Sequence, residues 1–89
     1  MAASVAPVLE VADASLAYDR TKKLGVYARA GIPQYIIVNL PELCIEVYEQ
    51  PVPAEARYVR KAVVRSGESF ELRLPSGARV AIDAGRVLP

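Results

Sequence analysis

The pattern of apolar and polar positions divides the chain into one helical segment and six short strands. Apolar or alternating runs bounded by proline, glycine and other turn residues predict strands. These runs are residues 7–12, 34–40, 44–50, 57–65, 70–74 and 78–82. After the first run the apolar spacing changes to three and four residues, which predicts a helix from about Asp19 to Ala30, with Asp19 or Ser15 as its N-cap. This order indicates an α/β or α+β domain.

The second and third strands predict a hairpin. Only residues 41–43 separate them, so the two strands should pair antiparallel. The second strand is nearly all apolar, whereas the third alternates and is expected to be half-exposed. A single helix covers one face of such a sheet, and the other face is expected to be exposed unless a partner or an upstream segment covers it. We therefore expect residues 1–89 to form one domain that is truncated or obligately associated.

Composition excludes several classes of function. The chain has 11 basic and 10 acidic residues, a net charge of +1, and no histidine. Serine and cysteine triads that need a histidine base are therefore excluded. The single cysteine, Cys44, excludes an internal disulfide and is expected to be a small buried residue. No stretch approaches the ~20 apolar residues of a membrane span. A cytoplasmic protein without membrane association is expected.

Four residues could carry chemistry. Glu10 lies within an apolar strand, where a carboxylate is unusual. Asp19, Lys23 and Tyr27 follow at four-residue steps and form one stripe of the helix, which could approach Glu10. A carboxylate that holds Mg²⁺ and an ammonium that stabilises charge on phosphate are parts of a phosphodiesterase site. The alternative is an ordinary surface ion pair between Asp19 and Lys23, worth ~0.3–0.5 kcal/mol.

Two other features have simpler explanations. Basic residues of the fourth strand could touch a phosphate backbone, but a solvated hairpin is the favoured interpretation. These residues are Arg57, Arg60, Lys61 and Arg65. The five tyrosines are scattered along the chain and predict core or rim packing instead of a stacking platform for bases.

A longer motif runs through the first half of the chain. A strand ending in Glu10-Val11 is followed by Ser15, by Tyr18-Asp19-Arg20, by Lys23 and by residues 27–33. Over residues 8–49 this pattern resembles the Uma-two family of bacterial proteins, which are restriction-endonuclease-like nucleases of the PD-(D/E)xK class. The resemblance implies a mixed β-sheet with one main helix, here with the N-terminal part of the fold missing. It also implies DNA as substrate and Mg²⁺ or Mn²⁺ as cofactor.

The resemblance also implies roles for the four candidate residues. Glu10 falls on the family's metal ligand and Lys23 on its catalytic lysine, while Asp19 and Tyr27 fall on positions that orient the helix. The family has a second acid in a Pro-Asp pair before the glutamate, whereas residues 4–7 of this chain contain no acid. Because Mg²⁺ is held by only one or two carboxylates, this loss should weaken metal binding.

Two hypotheses follow for the function. The first is a Mg²⁺-dependent DNA endonuclease that is truncated and weakened or inactive. The second is a non-catalytic interaction module that associates through its exposed sheet face, for example as a homo-oligomer.

Overall fold

The computed structural model describes residues 6–89, and its strands lie where the sequence pattern predicts them. The strands are β1 Val8–Ala12, β2 Gln34–Asn39, β3 Cys44–Val52, β4 Arg57–Arg65, β5 Ser69–Arg73 and β6 Arg79–Asp83. The strand boundaries are set by turn residues, among them Gly67 and Gly77, whose φ angles of 94° and 92° suit glycine. The prediction of a mixed α+β domain is confirmed.

The first four strands form one mixed sheet. Its spatial order is β1-β2-β3-β4, with β1 parallel to β2 and the remaining neighbours antiparallel. The hairpin predicted from the short second connection is confirmed. The register places Glu10, Ile37 and Glu46 side by side on three adjacent strands. Because side chains of paired residues point to the same face, both glutamates face the main helix.

The main helix, residues 16–29, begins earlier than predicted and contains a wide turn. It consists of Leu16–Tyr18, a π-helical turn Asp19–Lys23, and Leu24–Arg29. Ser15 occupies the N-cap position, so Asp19 as the N-cap is wrong: this residue lies inside the helix and is buried. Gly31, at φ 74°, ends the helix after its last turn. No helix in residues 6–89 is long and apolar enough to cross a membrane.

Tyrosines form much of the core between the helix and the sheet. The ring centroids of Tyr27 and Tyr35 are 4.9 Å apart, those of Tyr35 and Tyr48 are 6.0 Å apart, and those of Tyr48 and Tyr58 are 6.1 Å apart. These spacings are typical of tilted and offset aromatic pairs. Four of the five tyrosines therefore form a continuous row between the helix and the sheet, and core packing is confirmed for them. Tyr18 is 56% exposed and lies outside this row.

The second face of the sheet is covered by the C-terminal part of the chain. Strands β5 and β6 form a separate hairpin, followed by the one-turn helix Ala84–Val87. The buried residues that meet there are Ile36, Val38, Ile45, Val47, Val64, Phe70, Ala84 and Leu88. The expectation that this face is exposed is therefore wrong for its centre. The reason is that β5 and β6 do not extend the four-stranded sheet but pack against its face as a second, two-stranded sheet.

A buried amide on β2 holds this hairpin in place. The side chain of Gln34 donates to the carbonyl of Glu71 at 2.8 Å and accepts from the amide of Arg73 at 2.9 Å. On β1, by contrast, Leu9 and Val11 point to this second face of the sheet but are not covered by the hairpin, and they remain 49% and 60% exposed. On this face, exposed apolar side chains therefore remain on the edge strand β1.

Candidate active site

The helix stripe and the first strand meet at the Glu10 carboxylate. Lys23 Nζ lies 3.1 Å from Glu10 Oε1, and the Tyr27 hydroxyl donates to Glu10 Oε2 at 3.0 Å. Both contacts cross from the helix to β1, as the four-residue spacing indicated. One carboxylate thus accepts one hydrogen bond at each oxygen, which fixes its orientation while leaving a lone pair on each oxygen for a further ligand.

Asp19 completes this group from the preceding helical turn. Its Oδ1 atom lies 3.4 Å from Lys23 Nζ, and its Oδ2 atom accepts a hydrogen bond from Ser15 at 3.2 Å. The Asp19 side chain is only 1% exposed, whereas those of Glu10 and Lys23 are 26% and 35% exposed. Asp19 Oδ1 is buried and has no hydrogen-bond partner among the described residues. Asp19 therefore contacts the lysine from the buried side, and Glu10 contacts it at a partly exposed position.

The charges of the group favour a protonated lysine. Its hydrogen bond to Glu10 raises the pKa of Lys23, and the hydrogen bond to Glu10 also raises the pKa of Tyr27. Both side chains therefore act as hydrogen-bond donors near neutral pH. The site contains the carboxylates of Glu10 and Asp19 and the ammonium of Lys23, so acidic groups outnumber basic groups by one. This excess of acidic groups favours the approach of a cation.

A second charged group, which involves the same turn of the helix, was not found by sequence reasoning. Arg20 Nε lies 2.9 Å from Glu46 Oε2 and 3.2 Å from Oε1. Tyr48 and Asn39 also donate to this carboxylate, at 2.6 and 2.9 Å. Glu46 is 1% exposed and all of residues 44–48 are buried, so the expectation of a half-exposed β3 is wrong for the first half of the strand. The available signal was a glutamate between Ile45 and Val47, with an arginine in the Tyr-Asp-Arg motif to pair with it.

Close to this ion pair lies a cluster of side chains of the types that bind metal ions, but its two glutamates are already hydrogen-bonded to Arg20. Ligand-type atoms of Glu42, Cys44 and Glu46 lie within 4.8 Å of one another. However, Arg20 donates to both glutamates, so the positive charge that a metal would supply is already present. Cys44 is buried as expected, and burial raises the pKa of its thiol. We therefore assign no metal to this cluster.

The basic residues of β4 do not converge on one surface site. Arg57 pairs with Glu55, while Lys61 lies 3.8 Å from Glu46 and 5.6 Å from the centroid of the Tyr48 ring. Arg60 and Arg65 are exposed. This arrangement agrees with the interpretation of a solvated strand.

The fold and the site define a mixed-sheet α+β domain of the restriction-endonuclease-like type, with a carboxylate and a lysine brought together by β1 and the main helix. The chain belongs to the Uma2 family, whose model is described as "Putative restriction endonuclease" and matches residues 2–83. The family expected from the sequence is thereby confirmed. No curated protein and no solved structure matches the chain at a significant level.

The residues at this site provide few ligands for a divalent metal ion. Mg²⁺ prefers oxygen ligands and is held by one or two carboxylates together with water and phosphate. Glu10 supplies one partly exposed carboxylate with free lone pairs. Asp19 is buried and faces Lys23, so it offers little to an ion bound from solvent. The described residues thus provide a one-carboxylate site that water and a substrate phosphate would have to complete.

The ion pair at Glu46 predicts a loss of stability in acid. Burial by itself raises the pKa of Glu46, but hydrogen bonds from Arg20, Tyr48 and Asn39 outweigh it and lower this pKa from 4.5 to about 2. The folded protein therefore binds fewer protons than the unfolded chain in this window. The stability due to Glu46 is complete above the unfolded pKa and is lost as the pH falls towards about 2.

We expect the free energy of unfolding, measured by urea denaturation from neutral to acidic pH, to fall less steeply in Glu46→Gln than in the natural protein. Glu55→Gln, at an exposed position, serves as the control and should retain the natural slope. Equal slopes in the natural protein and Glu46→Gln would show that the carboxylate is not held ionised by its neighbours.

Proposed function

We propose that this domain is a Mg²⁺-dependent DNA endonuclease of reduced activity, in which Glu10 binds the metal ion and Lys23 contacts the scissile phosphate. Membership of the Uma2 family supports the nuclease class. The observation that carries the proposal is the 3.1 Å contact between Lys23 Nζ and Glu10 Oε1, made by two separate elements at a partly exposed position.

Lys23 is suited to stabilise negative charge on a phosphate. An ammonium has three N–H donors. Lys23 donates one to Glu10, and a second side of the ammonium faces Asp19 in an ion pair at 3.4 Å that is not a hydrogen bond. The third donor is available to a phosphate oxygen, whose negative charge grows as the phosphodiester is attacked. When bound, the divalent ion would polarise the phosphate and lower the pKa of the attacking water.

Tyr27 and Asp19 act as positioning residues in this proposal. Tyr27 holds Glu10 Oε2 at 3.0 Å and so limits rotation of the carboxylate. Asp19 holds the lysine from within the helix, at 3.4 Å, and is itself fixed by Ser15. Restricting the reacting groups in this way lowers the entropy lost on reaching the transition state.

The reduced activity follows from the number of carboxylates. A site that supplies one accessible carboxylate provides half of the protein ligands that Mg²⁺ can use. Residues 1–9 contain no acidic side chain that could serve as a second ligand from the segment before Glu10. We therefore expect weak metal binding and slow cleavage that depends on the concentration of the divalent ion.

The first test is cleavage of supercoiled plasmid by purified protein with Mg²⁺ or Mn²⁺. Nicking should require the divalent ion, and Glu10→Gln and Lys23→Ala should each lower the rate by about 10²-fold or more, because each removes a group that acts on the transition state. The product is measured as nicked and linear DNA on a gel.

Lys22→Ala is the matched control for Lys23. Lys22 is exposed and makes no ion pair within residues 6–89, so its removal should leave the rate nearly unchanged. Cleavage that survives both Glu10→Gln and Lys23→Ala would reject the assigned site, and absence of cleavage by the natural protein would reject the proposed activity.

A second candidate function rests on the edge strand. Leu9 and Val11 are 49% and 60% exposed on β1, which is one of the two terminal strands of the four-stranded sheet. Exposed apolar edge strands favour pairing with another strand. In this proposal the domain is an interaction module, and β1 pairs with β1 of a second copy to form a homodimer.

Sedimentation velocity tests this second function. The natural protein should sediment as a dimer, and Val11→Lys should convert it to a monomer by placing a charge in the paired edge. Val26→Lys, at a 63% exposed position on the helix, should remain dimeric. If the natural protein sediments as a monomer, the proposed dimerisation through β1 is wrong.

A further inference from the structure

The buried carboxylate of Glu46 is anchored to the sheet before it meets the helix. Tyr48 donates to Oε1 from the same strand, and Asn39 donates to Oε2 from β2. These two hydrogen bonds fix the carboxylate in one orientation. Arg20 then contributes its planar guanidinium, with Nη2 2.5 Å and Nε 2.9 Å from Oε2. Such a two-nitrogen contact defines direction as well as distance, which a lysine in the same place would not do.

The helix is therefore held at two points that lie two strands apart. Glu10 and Glu46 occupy the same row of the sheet, on β1 and β3, with Ile37 of β2 between them. Neighbouring strands are about 4.8 Å apart, so the two carboxylates anchor the helix across a width of about 10 Å. Arg20 reaches one of these carboxylates and Lys23 the other. With both contacts made, the helix can neither roll nor slide without breaking one of them.

The π-helical turn explains how two residues so close in sequence reach separate strands. Arg20 and Lys23 both lie in the turn Asp19–Lys23, where the amide of Leu24 donates to the carbonyl of Asp19. An i→i+5 turn is wider than an α-helical turn, and such turns are frequent at functional sites. The hydroxyl of Tyr35, on the central strand β2, donates to the same carbonyl at 3.2 Å. The wide turn is thus supported from each of the three strands beneath it.

We propose that the Arg20–Glu46 ion pair is a positioning device that fixes the π-helical turn so that Lys23 stays in contact with Glu10. Arg20 takes no direct part in the chemistry, because its guanidinium is directed to Glu46 and Glu42. The consequence for catalysis rests on the proposed nuclease function. The consequence for the contact between Lys23 and Glu10 can be measured without metal or DNA.

The test compares Arg20→Gln and Arg20→Lys with Val64→Ala as a control for stability alone. Val64 is buried in the core on the opposite face of the sheet, so its truncation destabilises the fold without touching the helix. Three quantities are measured for each variant: the free energy of unfolding, the nuclear Overhauser effects between the Lys23 and Glu10 side chains in metal-free protein, and kcat and KM for plasmid nicking.

We expect Arg20→Gln to lose the Lys23–Glu10 Overhauser effects and to lower kcat by about 10²-fold, because a small misplacement of a catalytic group has an effect of this size. KM should change little, and Arg20→Lys should recover part of kcat. Val64→Ala should keep both the Overhauser effects and kcat. If Arg20→Gln does not fold, Arg20→Gln/Glu46→Gln serves in its place, since it leaves no buried charge unpaired.

Two results would overturn the inference: Arg20→Gln that retains the Overhauser effects, or Val64→Ala that loses kcat to the same extent. A natural protein that does not nick DNA would reject the proposed function alone. In that case the Overhauser effects of Arg20→Gln would still decide whether Arg20 positions Lys23.

Discussion

The placement of one short helix on one face of a four-stranded sheet determines whether this domain has a site at all. Apolar contacts bury the helix against the tyrosine row, but such contacts are not directional and allow a helix to rotate or shift slightly. Direction comes from charge: Arg20 is bound to Glu46 on β3, and Lys23 is bound to Glu10 on β1. Because Glu46 is almost fully buried, an unpaired carboxylate there would be strongly unfavourable, and the helix is held where its arginine satisfies it.

In the proposed function, this arrangement assigns stability to one ion pair and chemistry to the other. The Arg20–Glu46 pair is buried on its acidic side and rich in hydrogen bonds, which suits a structural role. The Lys23–Glu10 pair is more exposed, with lone pairs and one N–H donor left over, which suits binding of an ion and a phosphate. Two ion pairs of similar composition thus differ in their proposed roles because their burial and hydrogen-bond satisfaction differ.

Much of this could be predicted from the sequence because it depends on local patterns. Turn residues such as Gly67 and Gly77 mark the strand ends, and the four-residue spacing of Lys23 and Tyr27 places both side chains on the stripe that meets Glu10. The contacts that were not predicted join residues that are far apart in the sequence. Burial of Glu46 depends on an arginine 26 residues earlier in the chain. The widened turn at Asp19–Lys23 depends on support from the sheet below, and coverage of the second face depends on Gln34 binding the backbone of β5.

The proposal that Glu10 binds a divalent metal ion is tested most directly with isotope-labelled protein. Mn²⁺ is added, and paramagnetic broadening is recorded in the nuclear magnetic resonance spectrum. If Glu10 binds the ion, the strongest broadening should fall on Glu10 and on Lys23, its neighbour at 3.1 Å, and Glu10→Gln should abolish it. Broadening centred on Glu42 and Cys44 instead, and unchanged in Glu10→Gln, would contradict the account.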